Sequence, residues 1–380
     1  MTAGKNTPES TSLRSGFSTG AYAAATTVAA WRCLQGLPFK EKLRLLFADG
    51  TTRPINLDGV VLHPDKSAEA WAAKDGGDDI DATDGAIIRT RLSRLGNSQP
   101  REEDFQESCG QATLIIRGGA GVGLVSRTGL DVPVGKWAIN PVPRHMIVEN
   151  LRHNGAGSDT IRLLAEIAID NGEKLARQTL NPVLGIEGGL SILGTTGLVI
   201  PCSHAAYVAT IRVLVRGAAA SNVKKVALVT GGKTHRQIRN MLPDIPEYAC
   251  VRIGDFIREA LEICRQEGIS KVFIGCMAGK LAKYALGHAN THAHRVSQDV
   301  GKILDFLKHQ GFPEAEKSKT KELRSFREFM ESLPQTQQQQ IVAFLTKAAV
   351  DVFREWAPGL EVELLVFNPL GKLLSERDTP

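Results

Sequence analysis

The sequence predicts an α/β protein with an α+β part: a mixed α+β N-terminal domain followed by a Rossmann-like, three-layer α/β domain. From position 221 onward, apolar runs alternate with helical patterns of about 8 to 14 residues, which is typical of βαβ units on a parallel sheet. Before that point, short strand patterns and glycine turns follow one another without this alternation. A length of 380 residues also favours two domains. We place them at residues 1–216 and 217–380.

The N-terminal part is predicted to begin with a helix over residues 19–34. Ser18 or Thr19 can cap this helix, alanines fill it, and Gly36 and Pro38 end it. Strand patterns follow on both sides of the DG turn in EKLRLLFADGTTRPINL, and again in AIIRTRL, ATLIIR and GLVSR. The charged segment RLGNSQPREEDFQESCG is predicted to be a surface loop.

The C-terminal part is predicted to alternate strands with helices. The predicted strands are KKVALVT, EYACVRI, KVFIGC and EVELLVF, and the predicted helices are HRQIRNML, DFIREALEICRQEG and QIVAFLTKAAVDVFREW. Strands that alternate with helices in this way belong to a parallel sheet.

Composition excludes several classes of protein. No apolar run approaches the roughly 18 residues of a membrane span, and the polar N-terminal stretch is not a secretory signal. The six scattered cysteines form no CxxC pair, which favours reduced thiols in the cytoplasm. The net charge of +5 favours an anionic ligand, yet it lacks the clustered basic stripe of a nucleic-acid-binding protein. We therefore expect a cytoplasmic protein with no membrane or nucleic-acid partner.

Two glycine-rich segments resemble nucleotide loops. In GGAGVG, Gly119 and Gly121 follow a strand, but the residues after Gly123 predict a strand and a turn instead of the helix that a Rossmann loop opens. A strand–turn–strand hairpin and a ligand-contacting loop both remain open for this segment. ALVTGGKT matches a relaxed P-loop, but its first residues belong to a strand and leave little loop to wrap phosphates. We interpret that match as chance.

Several polar residues beside glycines are candidates for ligand contact. The segment GGDDIDATDG carries Asp79 and Asp81, which either form Asx turns on a surface loop or supply a carboxylate for ribose hydroxyls, a cation or a proton. Thr19 in FSTGA, and Thr195 and Thr196 in LGTTG, lie where hydroxyls can approach a ligand closely.

Basic residues suggest contacts with an anionic ligand. In AINPVPR, two prolines fix an extended backbone beside Asn140, and Arg144 either binds a carboxylate or forms a surface ion pair. Lys280 follows the strand KVFIGC, at the edge of an open sheet where ligands settle. His288 and His292 have a metal-compatible spacing, but no third ligand is evident, so ligand-facing histidines are the preferred interpretation.

Taken together, these segments resemble the CbiD family, the cobalt-precorrin-5B C(1)-methyltransferases. The resembling segments cover nearly the whole chain in the family's order, and AINPVPR and GGLSILGTTG are highly specific. The chain departs from the family where Tyr22 replaces a cysteine in TGAY, where Ile80 stands in DDID, and where GDF replaces SNF. The tyrosine excludes a thiolate role at that position.

The resemblance implies S-adenosylmethionine-dependent methylation of cobalt-precorrin-5B at C-1, which gives cobalt-precorrin-6A in corrin biosynthesis. It implies a fold different from that of the usual tetrapyrrole methylases. The substrate is an anionic corrinoid that carries its own cobalt, so no protein-bound metal is expected. The sequence leaves the base, the oligomeric state and any transient contact with other pathway enzymes open.

From these patterns we assign candidate roles to twelve residues. We expect Asp79 and Thr19 to be catalytic, Gly20, Asp81, Gly119, Gly121, Thr195 and Thr196 to bind the methyl donor, and Asn140, Arg144, Lys280 and His292 to bind the substrate. Two other classes remain: a nucleotide-dependent transferase that uses ALVTGGKT as a phosphate loop, and a non-catalytic corrinoid carrier.

Overall fold

A computed structural model describes residues 13–96, 99–291, 300–317, 323 and 325–375. The chain divides into two compact units, Met1–Ser203 and His204–Pro380. The boundary expected at residue 217 lies inside a helix of the second unit.

The N-terminal unit contains twelve strands and four helices within the described residues. The strands are β1 (Gly16–Phe17), β2 (Lys42–Leu46), β3 (Thr52–Asn56), β4 (Gly59–Leu62), β5 (Ala68–Ala73), β6 (Ile87–Arg94), β7 (Phe105–Cys109), β8 (Ala112–Gly118), β9 (Leu124–Val125), β10 (Arg162–Ile169), β11 (Ile186–Glu187) and β12 (Leu198–Val199). The helices are α1 (Thr19–Leu34), α2 (Pro141–His153), α3 (Gly172–Ala176) and α4 (Asn181–Leu184).

The main sheet of this unit has six strands in the order β4-β5-β6-β10-β8-β7. Strands β8 and β10 are parallel and the other neighbours are antiparallel. In β10 every second residue is buried, so one face of the sheet packs on the core and the other is partly exposed. On β10 the partly exposed face carries Arg162, Leu164, Glu166 and Ala168.

Helix α1 packs between the sheet and α2 and is buried along its whole length from Thr19 to Trp31. Alanines make this close approach feasible, since they add little bulk between the helix and the alanine-rich face of β5. The hydroxyls of Thr26 and Thr27 donate hydrogen bonds to backbone carbonyls of the same helix. The Thr26 hydroxyl also forms a hydrogen bond of 2.8 Å with the hydroxyl of Thr90 on β6. A helix that is buried on all sides thus keeps its few polar atoms satisfied.

The segment expected to be a surface loop contains a strand. Residues Phe105–Cys109 form β7, which pairs with β8 through a tight turn at Gly110. The prediction of an unbroken loop was wrong there, because the charged residues before Phe105 hid a short alternating pattern that fits an edge strand.

The C-terminal unit contains a four-stranded sheet in the order β14-β13-β15-β16, with parallel neighbours throughout. Its strands are β13 (Lys225–Val229), β14 (Cys250–Arg252), β15 (Lys271–Met277) and β16 (Glu361–Phe367). Its helices are α5 (His204–Ala220), α6 (Gly232–Met241), α7 (Ile257–Gln266), α8 (Ala278–Ala285), α9 (Val300–His309), α10 (Pro313–Lys317), α11 (Phe326–Glu331) and α12 (Gln335–Trp356), and a 3-10 turn lies at Glu247–Ala249. The strands are nearly continuous buried apolar runs, as expected of a parallel sheet covered by helices.

The prediction of a mixed α/β protein is therefore confirmed, and the described residues form several sheets. None of the helices in the described ranges is long and apolar enough to cross a membrane.

A crossing of three backbone segments closes one end of the N-terminal sheet. A Cβ atom at Gly172 would lie 2.2 Å from the carbonyl oxygen of Gly121, and a Cβ atom at Gly189 would lie 2.3 Å from the same oxygen. Gly121 itself has a φ of +77°, and a Cβ there would lie 2.1 Å from the carbonyl oxygen of Ile169. These contacts require glycine because no side chain fits between the backbones.

We expect Gly121→Ala to destabilise the protein more than Gly135→Ala. Both positions have φ near +80°, so both alanines carry the left-handed cost of about 1–2 kcal/mol. A Cβ at Gly121 would clash with a backbone atom, whereas a Cβ at Gly135 would face open space. We therefore expect the clash to add about 1–3 kcal/mol to the loss of unfolding free energy in Gly121→Ala alone. Urea unfolding of both variants measures the difference, and equal losses would contradict the crossing.

Candidate active site

The acidic segment GGDDIDATDG is an ordered loop tied to the body of the N-terminal unit. The buried ammonium of Lys74 bonds Asp81 at 2.6 Å, and the other oxygen of Asp81 accepts hydrogen bonds from the amide and hydroxyl of Thr83. Burial by itself would raise the pKa of Asp81, but the bonds from Lys74 and Thr83 outweigh it and hold that pKa below its ordinary 3.8. Asp81 is therefore an ion-pair partner inside the loop.

The other carboxylates of this loop differ in their partners. Asp84 accepts a hydrogen bond from the amide of Gly76 at 2.7 Å, and Asp78 accepts one from the amide of Arg14 at 2.6 Å. The half-buried carboxylate of Asp79 has no hydrogen bond or ion pair to any residue that the structure describes. Asp79 is thus the member of the cluster that remains available to a ligand.

The amino end of α1 holds the loop that contains LGTTG. The Thr19 hydroxyl accepts a hydrogen bond from the amide of Leu193 at 2.9 Å and lies within 3.3 Å of the carbonyl oxygens of Ser191 and Leu193. The amide of Gly20 donates to the same Leu193 carbonyl at 3.0 Å. Thr19 is buried, and its hydroxyl is fully used by the loop, so it positions residues 191–194.

The neighbouring threonines lie further along the same loop. Thr195 and Thr196 are exposed, and the Thr196 hydroxyl accepts a hydrogen bond from the amide of Leu198. The structure therefore brings Thr19, Gly20 and the two threonines together at one end of α1.

Tyr22 connects this end of α1 to the acidic loop. Its buried hydroxyl accepts a hydrogen bond from the amide of Asp75 at 3.0 Å, and burial raises its pKa. The amide of Phe17 bonds the carbonyl of Asp75 as well. The residue that departs from the family pattern is thus a structural link between α1 and the residue that precedes the acidic loop.

A cleft of about 460 Å³ opens where β8 ends, and Gly119 and Gly121 line it. Its other lining groups include Arg101, Trp137, Glu166 and Glu187. The segment after β8 continues as a turn and the short strand β9, with no helix. The hairpin interpretation of GGAGVG therefore describes its backbone, and the same glycines also face a cavity.

The segment GGLSILGTTG joins the cleft to the end of α1. Gly188 lines the cleft, Leu190 pairs with Val122, and Ile192 pairs with Ile139. Three residues later the chain reaches Thr195. One extended segment therefore passes from the cleft to the threonine loop.

Arg144 and Asn140 lie at the start of α2. The Arg144 guanidinium forms an ion pair with Glu107, packs over the ring of Phe105 at 4.0 Å, and donates to the carbonyl of Ile139. These contacts match the ion pair that the sequence had left open for Arg144. The Asn140 side chain makes no cap hydrogen bond to α2.

In the C-terminal unit, a crevice of about 770 Å³ lies at the carboxyl ends of β15 and β16, and Lys280 lines it. The Lys280 ammonium donates to the carbonyl of Gly254 and to Asp255 at 3.0 Å. Lys283 is buried, donates to the carbonyl of Thr291, and has a pKa lowered by burial. The crevice wall is mostly apolar, and its lysines already have partners within the protein.

The ALVTGGKT segment has no room for a phosphate loop. Only Thr230 and Gly231 separate β13 from α6, which leaves too short a loop to wrap phosphates.

His288 lies in the turn after α8, and His292 falls outside the described residues. Within the ranges that the structure describes, no three histidine, cysteine, aspartate or glutamate side chains are placed to hold a metal ion.

No role was predicted from sequence for Arg101, Trp137, Glu166 or Glu187. Glu166 stands within the apolar run of β10, on the face opposite the core, and a charged residue in such a run was the available signal. Only the pairing of strands places it beside Gly119.

Comparison with known proteins relates the chain to one family. The family model CbiD matches residues 6–201. A cobalt-precorrin-5B C(1)-methyltransferase of Paraburkholderia phytofirmans is 33% identical over 97% of this chain and 98% of its own length. Proteins of the same name from Citrifermentans bemidjiense and Thermus thermophilus are 34% and 38% identical, over 95% and 78% of this chain and 98% and 75% of their own lengths.

A crystal structure of a cobalamin biosynthesis protein from Archaeoglobus fulgidus is also similar to this chain. It is 24% identical, with a TM-score of 0.37, and the match covers 79% of this chain and 85% of that one.

We expect Asp81→Asn to lower the free energy of unfolding by about 3 kcal/mol at pH 7, because it leaves the buried Lys74 ammonium without its ion pair. Since the pKa of Asp81 is lowered in the folded protein, its contribution is complete above the ordinary value of 3.8 and is lost as the pH falls through the folded value. The difference in unfolding free energy between the wild type and Asp81→Asn should therefore become smaller below pH 3.8. Urea unfolding at pH 7 and under acid conditions measures both effects.

Asp79→Asn is the matched control in the same loop. Its carboxylate has no partner among the described residues, so its unfolding free energy should stay within about 0.5 kcal/mol of the wild type. Equal losses for the two variants would contradict the division of roles between Asp79 and Asp81.

Proposed function

The chain belongs to the CbiD family and is a methyltransferase, and from this premise we propose that it transfers a methyl group from S-adenosylmethionine to C-1 of cobalt-precorrin-5B. The observation that carries the proposal is the match to the Paraburkholderia protein of that name, which extends over 97% of this chain and 98% of that protein.

The reaction that we propose is an in-line displacement. The sulfonium supplies an activated methyl group; C-1 of the ring supplies the electron pair, and the sulfur keeps the pair of the broken bond. The ring gains one positive charge with the methyl group, and loss of one proton to a base restores its original charge. Holding donor and acceptor in line is the main task of the protein in such a reaction. Cobalt arrives with the substrate.

Asp79 is the candidate base in this proposal. It is the acidic-loop carboxylate without a partner in the described structure, so it can accept a proton or contact a ligand without first losing an internal ion pair. Thr19 acts as a positioning residue, because its hydroxyl is engaged with the loop of residues 191–194.

Incubation with cobalt-precorrin-5B and methyl-labelled S-adenosylmethionine should give one label at C-1 and one equivalent of S-adenosylhomocysteine per turnover. No nucleotide should be required. Asp79→Asn should slow this turnover by at least about a hundredfold if its carboxylate removes a proton. Mass spectrometry and NMR of the product measure the transfer.

The two other classes give different results in the same assay. A nucleotide-dependent transferase would stay inactive until ATP is added, and a corrinoid carrier would bind the substrate without forming S-adenosylhomocysteine. Wild-type turnover by Asp79→Asn would remove the candidate base but leave the reaction in place.

Substitution of Lys280 tests whether the C-terminal crevice anchors the substrate. Because its ammonium already bonds Asp255 and the carbonyl of Gly254, Lys280→Ala should lower the unfolding free energy by about 1–2 kcal/mol. Lys308→Ala, which removes an exposed pair with Asp305, is the matched control and should change it by less than about 0.5 kcal/mol.

Corrinoid affinity separates the two roles of Lys280. If it binds a substrate carboxylate as well, Lys280→Ala should raise the corrinoid Kd about tenfold. Unchanged affinity in a folded variant would limit Lys280 to holding the Gly254–Asp255 turn.

A further inference from the structure

We propose that the cleft at the end of β8 is the S-adenosylmethionine site, with Glu166, Glu187, Arg101 and Trp137 as its contacting side chains. This inference rests on the proposed function, which requires a donor but does not locate it. It adds four side chains for which no role was predicted from sequence.

Both carboxylates of the cleft lack internal partners. Neither Glu166 nor Glu187 makes a hydrogen bond or ion pair through its side chain within the described residues. Glu166 stands in register with Arg91 on one neighbouring strand and Arg117 on the other. Arg117 attracts Glu166 through a coulombic interaction, but both guanidinium groups make their side-chain hydrogen bonds to other residues. The Glu166 oxygens therefore keep their hydrogen-bonding capacity for the cleft.

The arginine partners explain why Glu166 remains available. Arg91 bonds Asp65 at 2.6 Å and Ser67 at 2.9 Å, and Arg117 forms a two-pronged pair with the buried Asp104. A partly buried carboxylate that two neighbouring arginines do not bind is unusual on a charged sheet face, because such groups normally pair. A ligand with hydroxyl or cationic groups would complete its hydrogen bonds.

The lining groups match the parts of S-adenosylmethionine. A carboxylate accepts hydrogen bonds from ribose hydroxyls, which we assign to Glu166, the more buried of the two. The exposed Arg101 guanidinium, which has no side-chain partner in the described structure, suits the methionine carboxylate. A volume of about 460 Å³ lies within the range of small-molecule sites.

The open side of the cleft suits the sulfonium. The methyl group must leave toward an acceptor, so the sulfur has to lie near the opening, where the exposed Glu187 can balance its positive charge. Trp137 lines the cleft, and we assign its ring to the adenine or the cation. Its indole N–H donates a hydrogen bond to Asp104 at 3.3 Å.

Gly119 keeps space for the Glu166 side chain. A Cβ at this position would lie 3.1 Å from Cγ and 3.3 Å from Oε1 of Glu166. Gly119 does not have a left-handed φ, so backbone conformation does not require glycine here. The space that a side chain would need is occupied by Glu166. Gly119→Ala should therefore act on ligand affinity by displacing Glu166.

Calorimetric titration of the full chain with S-adenosylmethionine and S-adenosylhomocysteine tests the site, since the two ligands differ by one methyl group and one charge. Glu166→Gln should raise both dissociation constants about tenfold, because both ligands carry the ribose. Glu187→Gln should raise that of S-adenosylmethionine about tenfold and change that of S-adenosylhomocysteine less than twofold. Glu173→Gln, which alters an exposed pair with Arg177, is the control and should change neither.

The outcomes separate this inference from the proposed function. If the wild-type chain binds both ligands and the folded Glu166→Gln and Glu187→Gln variants keep wild-type affinity, the site assignment is overturned while the donor stands. If the wild-type chain binds neither ligand, the donor of the proposed function fails, and the site assignment fails with it. Far-ultraviolet circular dichroism and thermal unfolding establish that each variant is folded.

Discussion

The close packing of α1 against the six-stranded sheet is the constraint on which the N-terminal unit depends. Thirteen consecutive residues of this helix, Thr19 to Trp31, are buried, which is feasible because most of them are alanine, glycine or threonine. The Thr26–Thr90 hydroxyl pair satisfies polar atoms at the helix–sheet contact. A larger side chain at the alanine positions would separate helix and sheet and move the amino end of α1.

That amino end organises the candidate active site because three segments contact it. Ser18 and Thr19 hold the loop at 193–197, Tyr22 holds the acidic loop, and Gly20 lies against Pro143 at the start of α2, where a Cβ would stand 2.6 Å from the proline ring. The helix thus fixes loops that are far apart in sequence. The extended segment from Gly188 to Thr195 then connects this neighbourhood to the glycine-lined cleft.

The strands and helices were easier to predict from sequence than the site. The long apolar runs of β13, β15 and β16 and the alanine pattern of α1 are local signals, so their positions could be read directly. Strand β7 was missed because its alternation spans five residues beside a charged segment. The neighbourhood of Glu166 and Gly119 could not be predicted, since it depends on the parallel register of β8 and β10, whose residues are about fifty positions apart in sequence.

The candidate ligand contacts differ mainly in whether their charged side chains already have an ion-pair partner within the protein, and less in residue type. Arg144 and Lys280 have the chemistry of carboxylate anchors, yet each is already bound to an acidic side chain, so a ligand would have to compete with Glu107 or Asp255. Arg101 and Glu166 lack such partners in the described structure, and binding a ligand would cost them no internal ion pair. Sequence patterns reveal which residues are charged but not which have been neutralised, because pairing is decided by tertiary contacts. The cleft, where Arg101, Glu166 and Glu187 make no side-chain hydrogen bond or ion pair within the described residues, is therefore a more favourable place for a zwitterionic, ribose-bearing ligand than the crevice, whose lysines are already paired.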